Sequence, residues 1–203
     1  MLIKIYPQNP DENKIKQVVD LLEDGQVVIV PTDGVYAFAC LSTKNRAIEQ
    51  MAQFKGVKAE KADFSFLFQD LAQLANYTKP INTNYYKIIK KALPGAYTFI
   101  LNANNNIPKL FKNKKTIGVR IPDNAICLAL ASMLEAPILL SSVHDEDDII
   151  EYTTDPALID ERFGNQLAAI IDGGYGHNEA SSIIDCTGNE PEIIRKGLGE
   201  IFF

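Results

Sequence analysis

No stretch of this 203-residue chain approaches the roughly 20 consecutive apolar residues that carry a helix across a bilayer, so no helical membrane span is expected. The opening segment, Met1-Leu2-Ile3-Lys4-Ile5-Tyr6-Pro7, turns polar too soon for a secretory leader, and a cytoplasmic location is expected. Cysteine is scarce. Cys40, Cys127 and Cys186 lie far apart in apolar surroundings and form no CxxC pair. That argues against a disulfide framework or a thiolate metal site, and predicts three buried structural thiols in a reducing compartment. Histidine is scarcer still. His144 and His177 stand at no metal-ligand spacing with a cysteine, so no protein cage for a metal is expected. No Ser-His-Asp or Cys-His arrangement can be built from them either. The common phosphate loops, GxxxxGK[ST] and GxGxxG, are missing; Gly173-Gly174-Tyr175-Gly176 follows a strand without their spacing.

Positive charge is in short supply as well. A net charge of −6 argues against bulk attraction to nucleic acid. The charge is segregated, however, with basic clusters at Lys87/Lys90/Lys91 and Lys109/Lys112/Lys114/Lys115 and an acidic run at His144-Asp145-Glu146-Asp147-Asp148. Such runs read first as solvated faces. A hydrophobic fraction of 46% suits a folded soluble chain, and the length suits one domain over 1–203.

What the chain does have is Val27-Val28-Ile29-Val30, four β-branched residues that read as a strand buried on both faces. Pro31 and Gly34 break it, with Thr32, Asp33 and then Tyr36 at the corner. Small polar groups at the end of a buried strand suit a ligand site in an α/β sheet. They equally suit a corner in which Asp33 bonds its own backbone.

Along the chain, Leu2 to Tyr6 alternates as a short strand. Asn9 is then the N-cap candidate, with Pro10 at the first helical position and Glu12 at the third. Ile15, Val18, Val19 and Leu22 recur at helical spacing, and Gly25 is a natural stop. Thr43-Lys44-Asn45 opens a second helix with Ala47, Ile48, Met51 and Phe54 inward. It runs into the glycine-broken, lysine-bearing loop 55–61. Strands are predicted at 64–68, 96–101, 116–122, 137–142, 168–172, 181–185 and 192–195. Helices are predicted at 70–76, 82–93, about 124–134 and 156–163. Strands and helices interleave, which predicts a single α/β domain with a twisted, mixed sheet flanked by helices.

Several strand ends carry hydroxyls or single cations: Thr32, Arg120, Ser141/Ser142, Ser181/Ser182 and Arg195. Arginine in an apolar strand needs a carboxylate or phosphate, because it cannot shed its charge. With Lys55 these groups would make a concave anion site. Alternatively, Arg120 and Arg195 pair internally with Asp33, Asp172 or Asp185.

The order and spacing of the landmarks resemble the YrdC/YciO-like family, whose best-known members are threonylcarbamoyl-adenylate synthases. The landmarks are Gly25-Gln26, Pro31 to Tyr36, Pro94-Gly95-Ala96-Tyr97-Thr98, Thr116 to Pro122, Pro137 to Ser142, Asp172-Gly173-Gly174, Ser181 to Asp185 and Ile194-Arg195-Lys196-Gly197. The wording around Tyr97 and Arg120 is similar to the YciO branch. The resemblance implies a fold with a concave basic face. It implies ATP, with Mg²⁺ as its counter-ion, and L-threonine and bicarbonate as substrates. The products would be threonylcarbamoyl-AMP and pyrophosphate, for modification of tRNA adenosine. Carried over by position, Thr32, Tyr36 and Arg120 face the threonine. Lys55, Ser141, Ser142, Ser182 and Arg195 face the nucleotide and its phosphates. Two departures fall on the nucleotide half. Val57 stands where the synthases' Lys-x-Arg signature has arginine, leaving Lys58 or Lys61 as stand-ins without a bidentate fork. Ser142-Val143-His144 and the acidic run replace a Ser-Ala-Asn signature. Two other readings follow from these departures: a non-catalytic protein of the same fold that binds double-stranded RNA or a nucleotide, and a related carbamoyl- or acyl-adenylate chemistry on another small substrate.

Overall fold

The β-branched run does form a strand buried along its whole length, and it lies well inside a ten-stranded sheet. The computed structural model describes residues 1–143 and 151–203, with the backbone alone at 151 and 152. The acidic run and His144 lie outside the described residues.

In chain order the elements are β1 (Leu2–Lys4), α1 (Glu12–Glu23), β2 (Val28–Val30), β3 (Ala37–Leu41), α2 (Asn45–Phe54), β4 (Ser65–Leu67), α3 (Leu71–Ala75), α4 (Thr83–Ala92), β5 (Tyr97–Asn102), β6 (Thr116–Arg120), α5 (Ala125–Ser132), β7 (Ile138–Ser142), α6 (Glu151–Thr154), α7 (Pro156–Phe163), β8 (Ala169–Asp172), β9 (Ser182–Asp185) and β10 (Glu192–Arg195). The sheet order is β1-β8-β2-β3-β7-β4-β6-β5-β9-β10. Parallel and antiparallel pairs mix, as the interleaved pattern predicts.

Two local expectations are corrected, at the start of α1 and at β3. Asp11, not Asn9, caps α1 by accepting from Lys14 N at 3.0 Å, so Pro10 stays outside the helix. A carboxylate at the first turn also suits the helix dipole. α2 opens at Asn45 as expected, with Lys44 at the N-cap making no side-chain cap bond. β3 is a strand where only a turn region is expected; all five of its residues are buried. Gly25 does end α1, at φ +78°, a conformation that costs other residues more.

Residues in register across neighbouring strands share a face. One row runs Val28, Ala39, Leu140, Ser65, Gly118, Ile100. Its first half lies under α1 and α5, where Ile15, Val18, Val19 and Leu22 pack with Ile126, Cys127 and Leu130. Burying such a side chain is worth about 1.5–3 kcal/mol. The row Cys40, Leu139, Phe66, Val119, Phe99, Ile184 belongs to the opposite face, which α2, α4 and α7 cover. Among the described residues, the fold therefore leaves half of one sheet face, over β4, β6, β5 and β9, without a helix on it. All three cysteines are buried and unbridged, as their apolar surroundings predict.

Candidate functional site

The uncovered half-face is concave. It holds a cleft of about 310 Å³ floored by Ser65, Thr98, Ile100, Gly118 and Ile183, with Lys114 at its wall. Gly118 keeps the floor low: a Cβ there would meet Thr98 Cγ2 at 3.2 Å. Valine at 118 suits a strand but puts two methyl groups into this space. Gly118→Val is expected to fold, with a near-native melting temperature, and to bind the cleft's ligand roughly tenfold or more weakly. Unchanged affinity by calorimetry would show that the ligand sits elsewhere.

Arg120 stands two residues beyond Gly118 on the same face and is 6% exposed. Its Nη2 reaches Asp33 Oδ1 at 2.5 Å, and both side chains are 7% exposed. Asp33 Oδ2 accepts from Asp123 N at 2.8 Å, just before α5. The alternative in which Arg120 pairs with Asp33 is therefore what the fold adopts. It leaves Arg120 Nε with no hydrogen-bond partner among the described residues. Arg195, in register with Ile183, donates from Nε and Nη2 to Ser181 O at 3.1 and 2.8 Å. Among the described residues no carboxylate lies within ion-pair distance of it. Burial, and then the positive charge of Arg120, lower the Arg195 pKa from its usual value. The Ser181 hydroxyl meets Thr98 Oγ1 at 2.8 Å beside this pair. Beyond the cleft floor the same sheet face thus carries two guanidiniums, Arg120 held by Asp33 and Arg195 held by Ser181 O, with the Thr98 and Ser181 hydroxyls beside the second.

Lys114 marks the other end. Its ammonium holds Asp63 at 2.7 Å, and the Asp63 side chain is 95% exposed. Thr116, two residues after Lys114, lies four residues from Arg120 along β6, about 13 Å. Lys55 sits on the approach, exposed as a residue; burial still lowers its pKa, with Asp63 opposing the shift. Lys58 and Lys61 flank a short helical turn and are exposed; neither is among the described lining residues. Val57 is exposed beside them, 44% accessible, with no guanidinium to offer.

The hydroxyls of the sequence pattern divide. Thr32 Oγ1 donates to Val35 O at 2.8 Å and accepts from Gly34 N at 3.0 Å, so Thr32, not Asp33, ties the corner to its own backbone. Tyr36 is fully buried, donates to Gly174 O at 2.6 Å and accepts from Gly173 N at 3.2 Å. Burial raises its pKa far above the usual phenol value. Ser182 Oγ donates to Gly199 O at 2.6 Å and accepts from Gly197 N at 2.9 Å. These three build walls and turns. Ser141 is different: it is 3% exposed and its Oγ has no partner among the described residues. Register puts Ser142, in line with Ala37, on the cleft side of the sheet and Ser141 on the opposite side. Both lie at the end of β7 remote from Ile138, which shares a row with Leu67 and Arg120.

The structure therefore sets Arg195 on the same sheet face as Arg120, within reach of its charge. Thr98 and Lys114 join the site without having stood out among its candidates, and Asp33 joins as partner of Arg120. The alternation Thr116-Gly118-Arg120 against Ile117-Val119 was the available signal for the cleft face. Among the described residues, no three His, Cys, Asp or Glu side chains converge to hold a metal. No helix among them is long and apolar enough to cross a membrane.

The Sua5/YciO/YrdC family model, described by the words telomere recombination, matches residues 20–197. An uncharacterised Haemophilus influenzae protein is 37% identical over 199 residues, 96% of this chain and 94% of that one. The uncharacterised YciO of Escherichia coli is 33% identical over 200 residues, covering 97% and 95% of the two chains. Its crystal structure superposes with a TM-score of 0.89 over 98% of this chain and 97% of that one. A Methanocaldococcus jannaschii protein named putative threonylcarbamoyl-AMP synthase is 29% identical over 202 residues, 97% of this chain and 93% of its own. The Pyrococcus abyssi Sua5 structure complexed with L-threonine shares the fold at TM-score 0.84 and 24% identity, over 97% of this chain and 57% of that one.

Proposed function

Because the chain belongs to the Sua5/YciO/YrdC family, we propose that its cleft is the active site of an L-threonylcarbamoyladenylate synthase. In that reaction the amine of L-threonine takes up bicarbonate with loss of water. The resulting carbamate oxygen displaces pyrophosphate from the α-phosphorus of ATP, giving threonylcarbamoyl-AMP. The observation that carries the reading is a cation pattern on one sheet face: Arg120 with its Nε unpartnered and Arg195 without a carboxylate at one end, and a lysine-bearing wall about 13 Å along β6 at the other. Cations at both ends of one cleft suit a substrate pair with anions at both ends. Arg120 and Arg195 suit the threonine carboxylate, since guanidinium forks fit carboxylates. Lys114 and Lys55 suit the phosphates, and Mg²⁺ arrives with the ATP as its counter-ion, not in a protein cage. The names of the more distant relatives and the threonine bound to the Pyrococcus protein support the same substrate class. Product use in tRNA modification follows from the same reading.

The test is pyrophosphate release from ATP, L-threonine and bicarbonate, each omitted in turn. Turnover that needs all three, and is lost in Arg195→Gln, supports the reading. Release no faster than from heat-killed protein overturns it.

A further inference from the structure

A second concave surface lies past Lys114, and of the cations assigned to the cleft chemistry Lys114 alone lines it. This groove, about 680 Å³, is lined by Lys79, Lys109, Lys112, Lys114 and Lys115, with asparagines 102, 104 and 105 between them. Five cations converge there in a chain whose net charge is −6. Only Lys114 has a carboxylate partner, Asp63; among the described residues none lies within ion-pair distance of the other four. Like charges brought together repel, so the arrangement costs stability unless an anion answers it.

The groove is built on a firm frame. Lys79 N donates to Asn102 O at 2.8 Å and Ala103 N to Lys115 O at 2.9 Å. The Asn104 amide bridges Asn76 O and Thr78 O at 2.8 and 3.1 Å. Phe111, 2% exposed, anchors the short helical turn that carries Lys109 and Lys112. Lys114 lines both the groove and the cleft. The clasp between Asp63 and Lys114 therefore stands on the boundary between the two.

We propose that this groove is a binding site for condensed phosphate, positioned to take the pyrophosphate unit that the cleft releases or the tail of a nucleotide seated there. The choice of condensed phosphate rests on the synthase reading; the convergence of lysines does not. The groove's described lining contains no aromatic ring on which a base would stack, which favours a small polyanion over a single-stranded nucleic acid.

Inorganic pyrophosphate is the probe, titrated calorimetrically into the whole protein and into the triple variant Lys109→Gln/Lys112→Gln/Lys115→Gln. None of these three residues belongs to the cleft. The intact protein is expected to bind pyrophosphate in a salt-sensitive way, and the variant to bind it about tenfold or more weakly while melting at the same temperature or higher, since like-charge repulsion is relieved. Weaker pyrophosphate binding with unchanged ATP affinity assigns the groove to the released product; loss of both assigns it to the nucleotide tail. Equal pyrophosphate affinity in the two proteins overturns the proposal. So does an intact protein that ignores pyrophosphate, including one that instead retains duplex RNA. Because the readout is direct binding, a protein without turnover that still binds pyrophosphate through these lysines would sink the synthase reading and leave the groove standing.

Discussion

Replacing Arg120 with alanine is expected to lower the unfolding free energy by about 3 kcal/mol, the lower part of the range for breaking a buried ion pair from one side. The cost comes from what is left behind. Asp33, with 7% of its side chain exposed, would keep a single backbone donor, Asp123 N, for a full charge. Arg120→Ala combined with Asp33→Asn removes the orphan charge as well, and is expected to be less destabilised than Arg120→Ala alone. Urea unfolding of the two single variants and the double variant gives the coupling directly. A single variant that loses less than about 1 kcal/mol would mean that the pair is no better than a surface ion pair.

Phe38→Ala is expected to cost as much or more, about 3–5 kcal/mol, by a different route. Phe38 is 4% exposed and points away from the cleft. Its ring stacks on Phe54 at 4.8 Å between centroids and meets Phe163 edge-on at 5.2 Å, joining β3 to α2 and α7. Truncation leaves a cavity between three elements that cannot all collapse into it. Ligand affinity per folded molecule should stay the same, because the cleft lies on the other side of the sheet. The two variants separate stability from site: Arg120→Ala should lose both, Phe38→Ala only the first. Weak ligand binding by folded Phe38→Ala protein would contradict that separation.

Much of the fold was legible because its signals are local. The α1 stripe, the stop at Gly25 and the α7 helix over Pro156–Phe163 follow from spacing and turn chemistry within a few residues. β3 was not legible. Ala37-Phe38-Ala39-Cys40-Leu41 has no polar alternation, since β2 and β7 flank it and core covers both of its faces. The cleft was legible in part. Arg120 in an apolar strand announced a need for an anion, but whether Asp33 or a ligand met it depended on a contact 87 residues away. The answer has two parts, since Asp33 takes Nη2 and Nε is left over. The cleft itself exists because no helix among the described residues covers half of one sheet face, and strand order decides that, not any local pattern. Strand order likewise set Arg195 on the face that carries Arg120, with β5 and β9 between their strands. The family resemblance supplied what spacing could not, a reason to look for an amino acid and a nucleotide together.

The central claim is that one cleft holds both. Calorimetric titration of the intact protein with ATP and Mg²⁺, with and without L-threonine, tests it most directly. The account predicts that ATP binds and that threonine tightens it, despite Val57 in place of an arginine. A folded protein that gives no heat with ATP in either condition would contradict it.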